Sequence, residues 1–200
     1  DALCCFGKVM SSLNPTCSKS KIELLGCYDS QDSYDYCKDS TSLNSSQLFN
    51  CPWINIDSSF SSKENCKLIY LLNNSLAEIS DTAFAVSVFK KIHKVLSKDG
   101  SFVLDFENIS NKYKPLVDNG NKGIKRERKE DVKKKGCYEV EYRYYDVSLQ
   151  IDTLMFSRPH YKNLMNKDVL KRLLTQAGFS KVEFSGKIEG YPFEFIEARK

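Results

Sequence analysis

The sequence contains no apolar run approaching the roughly 20 residues that a membrane-spanning helix requires, so no membrane partner is expected. Its start, Asp1-Ala2-Leu3-Cys4-Cys5, has neither a basic leader nor a long apolar stretch, which does not suit a signal peptide. Position 1 is not Met, and the chain is expected to begin partway through a longer protein. There is no Cys-x-x-Cys and no Cys/His pairing at zinc spacing, so no structural metal site is expected. Histidine is scarce: His93 and His160 are the two, which narrows the choice of imidazole bases. The formal net charge of +4 is mild, and most of the excess lies in one segment, Lys122 to Lys135.

What remains is an ordinary globular composition, 41% hydrophobic and 28% charged over 200 residues. That length suits one domain with a sizeable core. The eight cysteines, at 4, 5, 17, 27, 37, 51, 66 and 137, sit in several cases beside apolar residues in strand-like text. Cys4, Cys5, Cys27 and Cys66 among them read as small hydrophobes, and all eight are expected to be reduced in a cytoplasmic setting.

The middle of the chain is the most legible part. Lys67-Leu68-Ile69-Tyr70-Leu71-Leu72 is a continuous apolar run of strand length. Ser80 or Asp81 then opens a helix with Ala85, Val88, Phe89, Ile92, Val95 and Leu96 on one face. Lys90, Lys91, His93 and Lys94 are placed outward, His93 as a solvated surface residue. Asp99-Gly100 is expected to stop the helix, and Ser101-Phe102-Val103-Leu104-Asp105-Phe106 to form the next strand. Strand, helix, strand with short connections is a right-handed βαβ unit and calls for a partly parallel sheet.

Elsewhere the pattern predicts a strand over 21–27, a helix from Ser30 to Ser40, and a strand over 53–57. A helix follows over 167–177, capped by Asn166 and stopped by Gly178, then two closing strands over 181–184 and 193–198. Residues 111–136 are polar and lysine-rich without apolar period and read as loop. Tyr138 to Tyr144 alternates strictly and Leu149 to Phe156 loosely, which predicts a hairpin. Residues 111–160 are thus read as an inserted loop and β-hairpin lid within a single domain, 1–200.

From Leu68 to Asn108, and again at Leu170-Lys171-Arg172-Leu173-Leu174-Thr175-Gln176-Ala177-Gly178-Phe179, the text resembles the class I S-adenosylmethionine (SAM) dependent methyltransferases. Ser97-Lys98-Asp99-Gly100 fills the slot of the family's L-x-P-G-G without its proline, and the second stretch is similar to its closing L-x-x-L-L-x-x-A-G-F. The resemblance implies an α/β, Rossmann-like fold. Its sheet is twisted and mainly parallel, with helices on both faces and an antiparallel last strand. It also implies SAM as cofactor and a small-molecule substrate.

The same resemblance nominates site residues. Asp1 to Gly7 falls on the acid and G-x-G-x-G of the first strand, with Asp1 the acid, Gly7 the last glycine, and Leu3 and Cys5 replacing the other two. Glycine is used there because a side chain would collide with the cofactor. Asp29, one residue late, stands for the ribose-binding acid, or else is a favourable helix N-terminal acid. Asp57 matches the adenine-contacting acid, or is a turn residue. Asn73 falls beside the reactive sulfonium, and Asn74 toward substrate, unless both are turn formers. Tyr142 in the hairpin and His160 after it are placed at the substrate. No catalytic residue is assigned.

Two functions follow. One is an active small-molecule methyltransferase. The other is a pseudo-methyltransferase that serves as a binding or regulatory subunit with a protein partner, in which the basic tyrosine-rich segment docks and could also contact nucleic acid.

Overall fold

The computed structural model describes residues 19, 25–28, 31–40, 48–60, 66–72, 76, 79, 81–106, 117–118, 124–134, 137–146, 153–163, 166–188 and 193–200. In chain order the elements are β1 (Gly26–Tyr28), α1 (Gln31–Ser40), β2 (Leu48–Asn50), a 3-10 turn (Trp53–Asn55), α2 (Ile56–Ser59), β3 (Cys66–Leu71), α3 (Thr82–Val95) and β4 (Leu96–Phe106). Then come β5 (Val117–Asp118), β6 (Ile124–Lys134), β7 (Cys137–Asp146), β8 (Thr153–Asn163), α4 (Lys167–Gln176), β9 (Lys181–Lys187) and β10 (Glu194–Arg199).

The centre is a four-stranded sheet in the order β3-β4-β10-β9. β3 and β4 are parallel, as the βαβ pattern required, and β10 is antiparallel to both β4 and β9. β1 and β2 pair in parallel as a separate two-stranded ladder among the described residues. Helices flank a twisted, mixed sheet, and the α/β class stands.

Alternation along β4 and β10 explains the core. Phe102, Leu104 and Phe106 lie opposite Ala198, Ile196 and Glu194, and the apolar members of this set are fully buried. The other face carries Ser101, Val103, Phe195 and Glu197, which are half-buried. There the Ser101 hydroxyl donates to Glu197 Oε1 at 2.8 Å, and Arg199 Nε donates to the same oxygen at 2.9 Å. The period of 2 therefore separates a buried, mainly apolar side from a half-buried, mixed one.

α3 forms where predicted. Asp81 caps it by accepting from the Phe84 amide at 2.6 Å, and Ala85, Val88, Phe89, Ile92 and Val95 bury one face. Each large member of that face contributes about 1.5–3 kcal/mol on burial. α4 likewise starts at Asn166, which accepts from the Val169 amide at 2.9 Å, and buries Leu170, Leu173 and Leu174. Gly178 takes φ +108°, the left-handed conformation that ends the helix.

Several expectations are corrected. α3 ends at Val95, not at Asp99-Gly100, because residues 96–100 already belong to β4, whose register against β3 shifts between Cys66 and Leu68. The strand expected over 53–57 is a 3-10 turn followed by α2, and the strand lies earlier, at Leu48–Asn50. Its position is fixed by parallel pairing with β1, a partner that local text does not reveal. The lysine-rich stretch read as loop contains β6, so the insertion is a four-stranded antiparallel sheet, β5-β6-β7-β8, rather than one hairpin. Ladder pairing to β7 supplies what β6 lacks in apolar pattern.

His93 is not a solvated surface residue. It is half-buried, with its ring edge-on to Phe179 at 5.1 Å. The expectation that every cysteine is reduced also fails: Cys27 and Cys51 form a disulfide with Cα atoms 6.1 Å apart, within the span such a bridge needs. Cys66 is free. The bridge ties the carboxyl ends of the adjacent strands β1 and β2, and reduced thiols no longer argue for a cytoplasmic setting.

Candidate functional site

In an open α/β sheet, ligands gather beyond the carboxyl ends of the parallel strands. In the central sheet that edge is reached by Leu71 of β3 and Phe106 of β4, and the β1–β2 ladder ends at Tyr28 and Asn50. Because β10 runs antiparallel to β4, its first residue, Glu194, arrives at the same edge, opposite Phe106.

Of the nominated cofactor residues, Asp1, Gly7, Asp29 and Asn73 lie outside the described residues, as does Asn74. Asp57 is described. It sits on α2, seven residues beyond the end of β2, and not at the end of a strand. Its two carboxylate oxygens face α3: Lys91 Nζ donates to Oδ1 at 2.9 Å and Lys94 Nζ to Oδ2 at 3.4 Å. The Lys91 hydrogen bond holds this carboxyl below the usual aspartate range, against the opposing effect of burial. Lys91 and Lys94 were read only as outward-facing, and their role was missed because Asp57 is far away in sequence.

The described part of the β1–β2 edge offers amides. Asn50 Nδ2 donates to Gln31 Oε1 at 2.6 Å, and Gln31 Nε2 donates to Asp35 Oδ1 at 2.9 Å. This joins the end of β2 to the first turn of α1.

The β4–β10 edge is chemically richer. Asp105 is fully buried, although Leu104 and Phe106 beside it are apolar. Glu194 is also buried and pairs with Lys167 Nζ at 2.6 Å, from the first turn of α4. The Lys167 ammonium lies 5.5 Å from the centre of the Phe184 ring, and Phe184 meets Phe106 edge-on at 6.2 Å. Sequence reading missed this group, yet a signal was present: a carboxylate interrupts an apolar strand at Phe193-Glu194-Phe195-Ile196, and another does so at Leu104-Asp105-Phe106. Such acids are costly to bury and call for a partner.

In the chain the inserted sheet lies between Phe106, opposite Glu194, and Asn166 at the start of α4. Within it, Tyr142 of β7 lies between Arg128 of β6 and Arg158 of β8. His160 is opposite Val140, so Tyr142 and His160 lie one ladder step of two residues apart in the register. Among the described residues no group of three His, Cys, Asp or Glu could hold a metal. None of the described helices is long and apolar enough to cross a membrane.

No protein-family model and no curated protein sequence matches the chain. Solved structures do. The amino pentose methyltransferase CalS10 of Micromonospora echinaspora aligns with a TM-score of 0.78 at 10% identity, covering 100% of this chain and 82% of its own. The chain has the class I SAM-dependent methyltransferase fold. The sugar N-methyltransferase KedS8 of a Streptoalloteichus species is similar at a TM-score of 0.77 and 14% identity, with 100% and 78% of the two chains covered. A SAM-dependent methyltransferase of Clostridium acetobutylicum aligns at 0.70 and 13% identity, over 100% and 81%. The methyltransferase fold spans the whole chain, and at these identities the likeness extends to fold alone.

Within that fold the described residues fit the cofactor only in framework. The one described cofactor candidate, Asp57, already has each oxygen engaged by a lysine. An adenine amino group would have to displace one of them.

Proposed function

We propose that the chain is a SAM-dependent methyltransferase domain acting on a small molecule. The supporting observation is the full-length match of a methyltransferase fold that includes both the parallel core and a sheet inserted beside its ligand edge. SAM, when bound, supplies a methyl group on a sulfonium. Asp1, Gly7, Asp29, Asp57 and Asn73 are the proposed cofactor residues, and Asn74, Tyr142 and His160 the proposed substrate residues. The chain's contribution is to hold the acceptor in line at near-attack distance, since positioning supplies most of the acceleration in such transfers. Tyr142 and His160 lie one ladder step apart in the inserted sheet, which suits them to contacting one ligand.

A second reading has its own observation. Leu3 and Cys5 stand at two glycine positions of the implied cofactor loop, and Asp57 is engaged by Lys91 and Lys94. Both features suit a pseudo-methyltransferase that binds a partner, protein or nucleic acid, through the basic tyrosine-rich insertion.

Calorimetry with SAM and with its demethylated product decides between the two readings. Micromolar binding of both supports the enzyme. Absence of binding, persisting after Leu3→Gly together with Cys5→Gly, rejects it.

A further inference from the structure

Cys27 and Cys51 sit where one geometry serves two oxidation states. Cys27 is the middle residue of β1, and Cys51 directly follows the last residue of β2. The ladder partner of Cys27 is Phe49, so the bridge reaches diagonally past the last registered pair, Tyr28–Asn50. Both cysteines are buried in the same apolar cluster as Ile56 and Phe60. Such a seat also suits a reduced cysteine, which packs as a small hydrophobe. The Cys51 carbonyl oxygen lies 3.3 Å from Cys27 Sγ, where it would accept the thiol proton. Reduction in place therefore buries neither a charge nor a strong unpaired donor. The chain next to the pair is held by exposed side-chain contacts, Asn50 Nδ2 to Gln31 Oε1 at 2.6 Å and Gln31 Nε2 to Asp35 Oδ1 at 2.9 Å. Each cysteine is 3% exposed, so a solvent thiol reaches the sulfurs only when this end of the ladder opens.

Beyond Cys51 the chain is anchored separately, because Asp57 of α2 binds Lys91 and Lys94 of α3. The bridge is thus a covalent tie between β1 and a segment fixed to the central βαβ unit. Ligands gather beyond the carboxyl ends of parallel strands, and Tyr28 and Asn50 are those ends here. We propose that Cys27 and Cys51 form a reversible thiol–disulfide switch: the bridge fixes the carboxyl end of the β1–β2 ladder for a ligand, and reduction loosens it. Its partner is a low-molecular-weight thiol–disulfide couple. In oxidation one cysteine thiolate attacks the small disulfide, whose S–S bond breaks to give a mixed disulfide and one small thiol. The second thiolate attacks the cysteine sulfur of that mixed disulfide and expels the second small thiol. The cysteines lose two electrons, the small disulfide gains them, and the two thiol protons pass to the departing thiols. Reduction is the reverse. The switch stands without the methyltransferase reading; naming its ligand as SAM rests on that reading.

The test equilibrates the full chain with reduced and oxidised glutathione in graded ratios, quenches in acid, and maps the Cys27–Cys51 link by mass spectrometry. The link should open and close reversibly across those ratios, with circular dichroism showing a folded chain at both extremes. In the reduced protein, amide exchange over Gly26–Tyr28 and Leu48–Asn50 should quicken about tenfold, and exchange over Thr82–Val95 should not change. Cys27→Ser with Cys51→Ser should reproduce the reduced pattern; if that variant does not fold, reduced wild type carries the comparison. A link that opens only as the chain unfolds, or exchange that is equal in both states, overturns the proposal and leaves a static tie. The demethylated product of SAM is then titrated into both states by calorimetry. Binding that weakens about tenfold on reduction supports the switch and identifies its ligand. No binding in either state, with the exchange difference present, retains the switch and removes the methyltransferase reading. Equal binding in both states retains that reading and overturns the switch as a control on the ligand.

Discussion

The Asp57 carboxylate of α2 accepts a hydrogen bond from the Lys91 ammonium of α3 at 2.9 Å, across a separation of 34 residues. Lys94, one helical turn-step further along the same face, reaches the other oxygen. This contact joins the end of the β2 unit to the first helix of the central βαβ unit, and four measurements follow from such long-range contacts.

Asp57→Asn should destabilise the fold by about 1 kcal/mol at neutral pH, the scale of a partly exposed ion pair. The folded-state pKa of Asp57 is lowered, so its stabilisation is present above the unfolded value of 3.8 and is lost as pH falls through the folded value. Urea titrations at pH 7 should therefore separate the two proteins, and titrations well below 3.8 should bring them together. A constant gap at both pH values would show that the charge is not the cause. The same variant tests the adenine role: weaker SAM binding is expected if Asp57 gives one oxygen to the cofactor.

His93 titrates below its ordinary value of 6.5, chiefly because burial disfavours the imidazolium, with the Lys200 ammonium adding repulsion. The Gly178 backbone opposes this by a hydrogen bond. With the folded pKa depressed, the unfolded chain binds the proton more readily, and stability should climb as pH rises through the window just below 6.5. His93→Gln should flatten that part of the stability profile. An unchanged slope in the variant would assign it to another group.

Gly100→Ala should cost about 1–3 kcal/mol as overpacking. A Cβ built there meets the Cys66 carbonyl oxygen at 2.8 Å and the Ser97 carbonyl oxygen at 3.0 Å. Both are backbone atoms, so the β3–β4 junction itself must move. Thermal unfolding of the variant gives the answer, and a melting temperature equal to wild type would refute the close approach.

The Cys27–Cys51 bridge closes a separation of 24 residues, for which loss of unfolded-state entropy contributes about 3 kcal/mol. Non-reducing peptide mapping should recover the two cysteines in one linked fragment. Cys27→Ala with Cys51→Ala should lower stability by that order. Recovery of both as free thiols from protein kept from reductant would remove the bridge.

Local pattern was enough for the parts whose stability is local. The apolar spacing from Ala85 to Val95, the caps Asp81 and Asn166, and the runs at β3 and β4 carry their own periods. They made the βαβ unit, the closing antiparallel strands and the α/β class legible from text alone. Tertiary structure decided everything that depends on a distant partner. Residues 53–57 look like a strand, yet β1 pairs with Leu48–Asn50 instead, and Asp57 turns to lysines on α3. β6 has no apolar period and becomes a strand because β7 completes its ladder. Cys27 and Cys51 read as separate hydrophobes until parallel pairing brings their strands together. Glu194 meets Lys167 only when antiparallel pairing carries it to the end of β4, within reach of the first turn of α4. A hydrophobic period is repeated over many residues and survives local ambiguity, whereas one ion pair or bridge depends on a chain crossing that no short window contains.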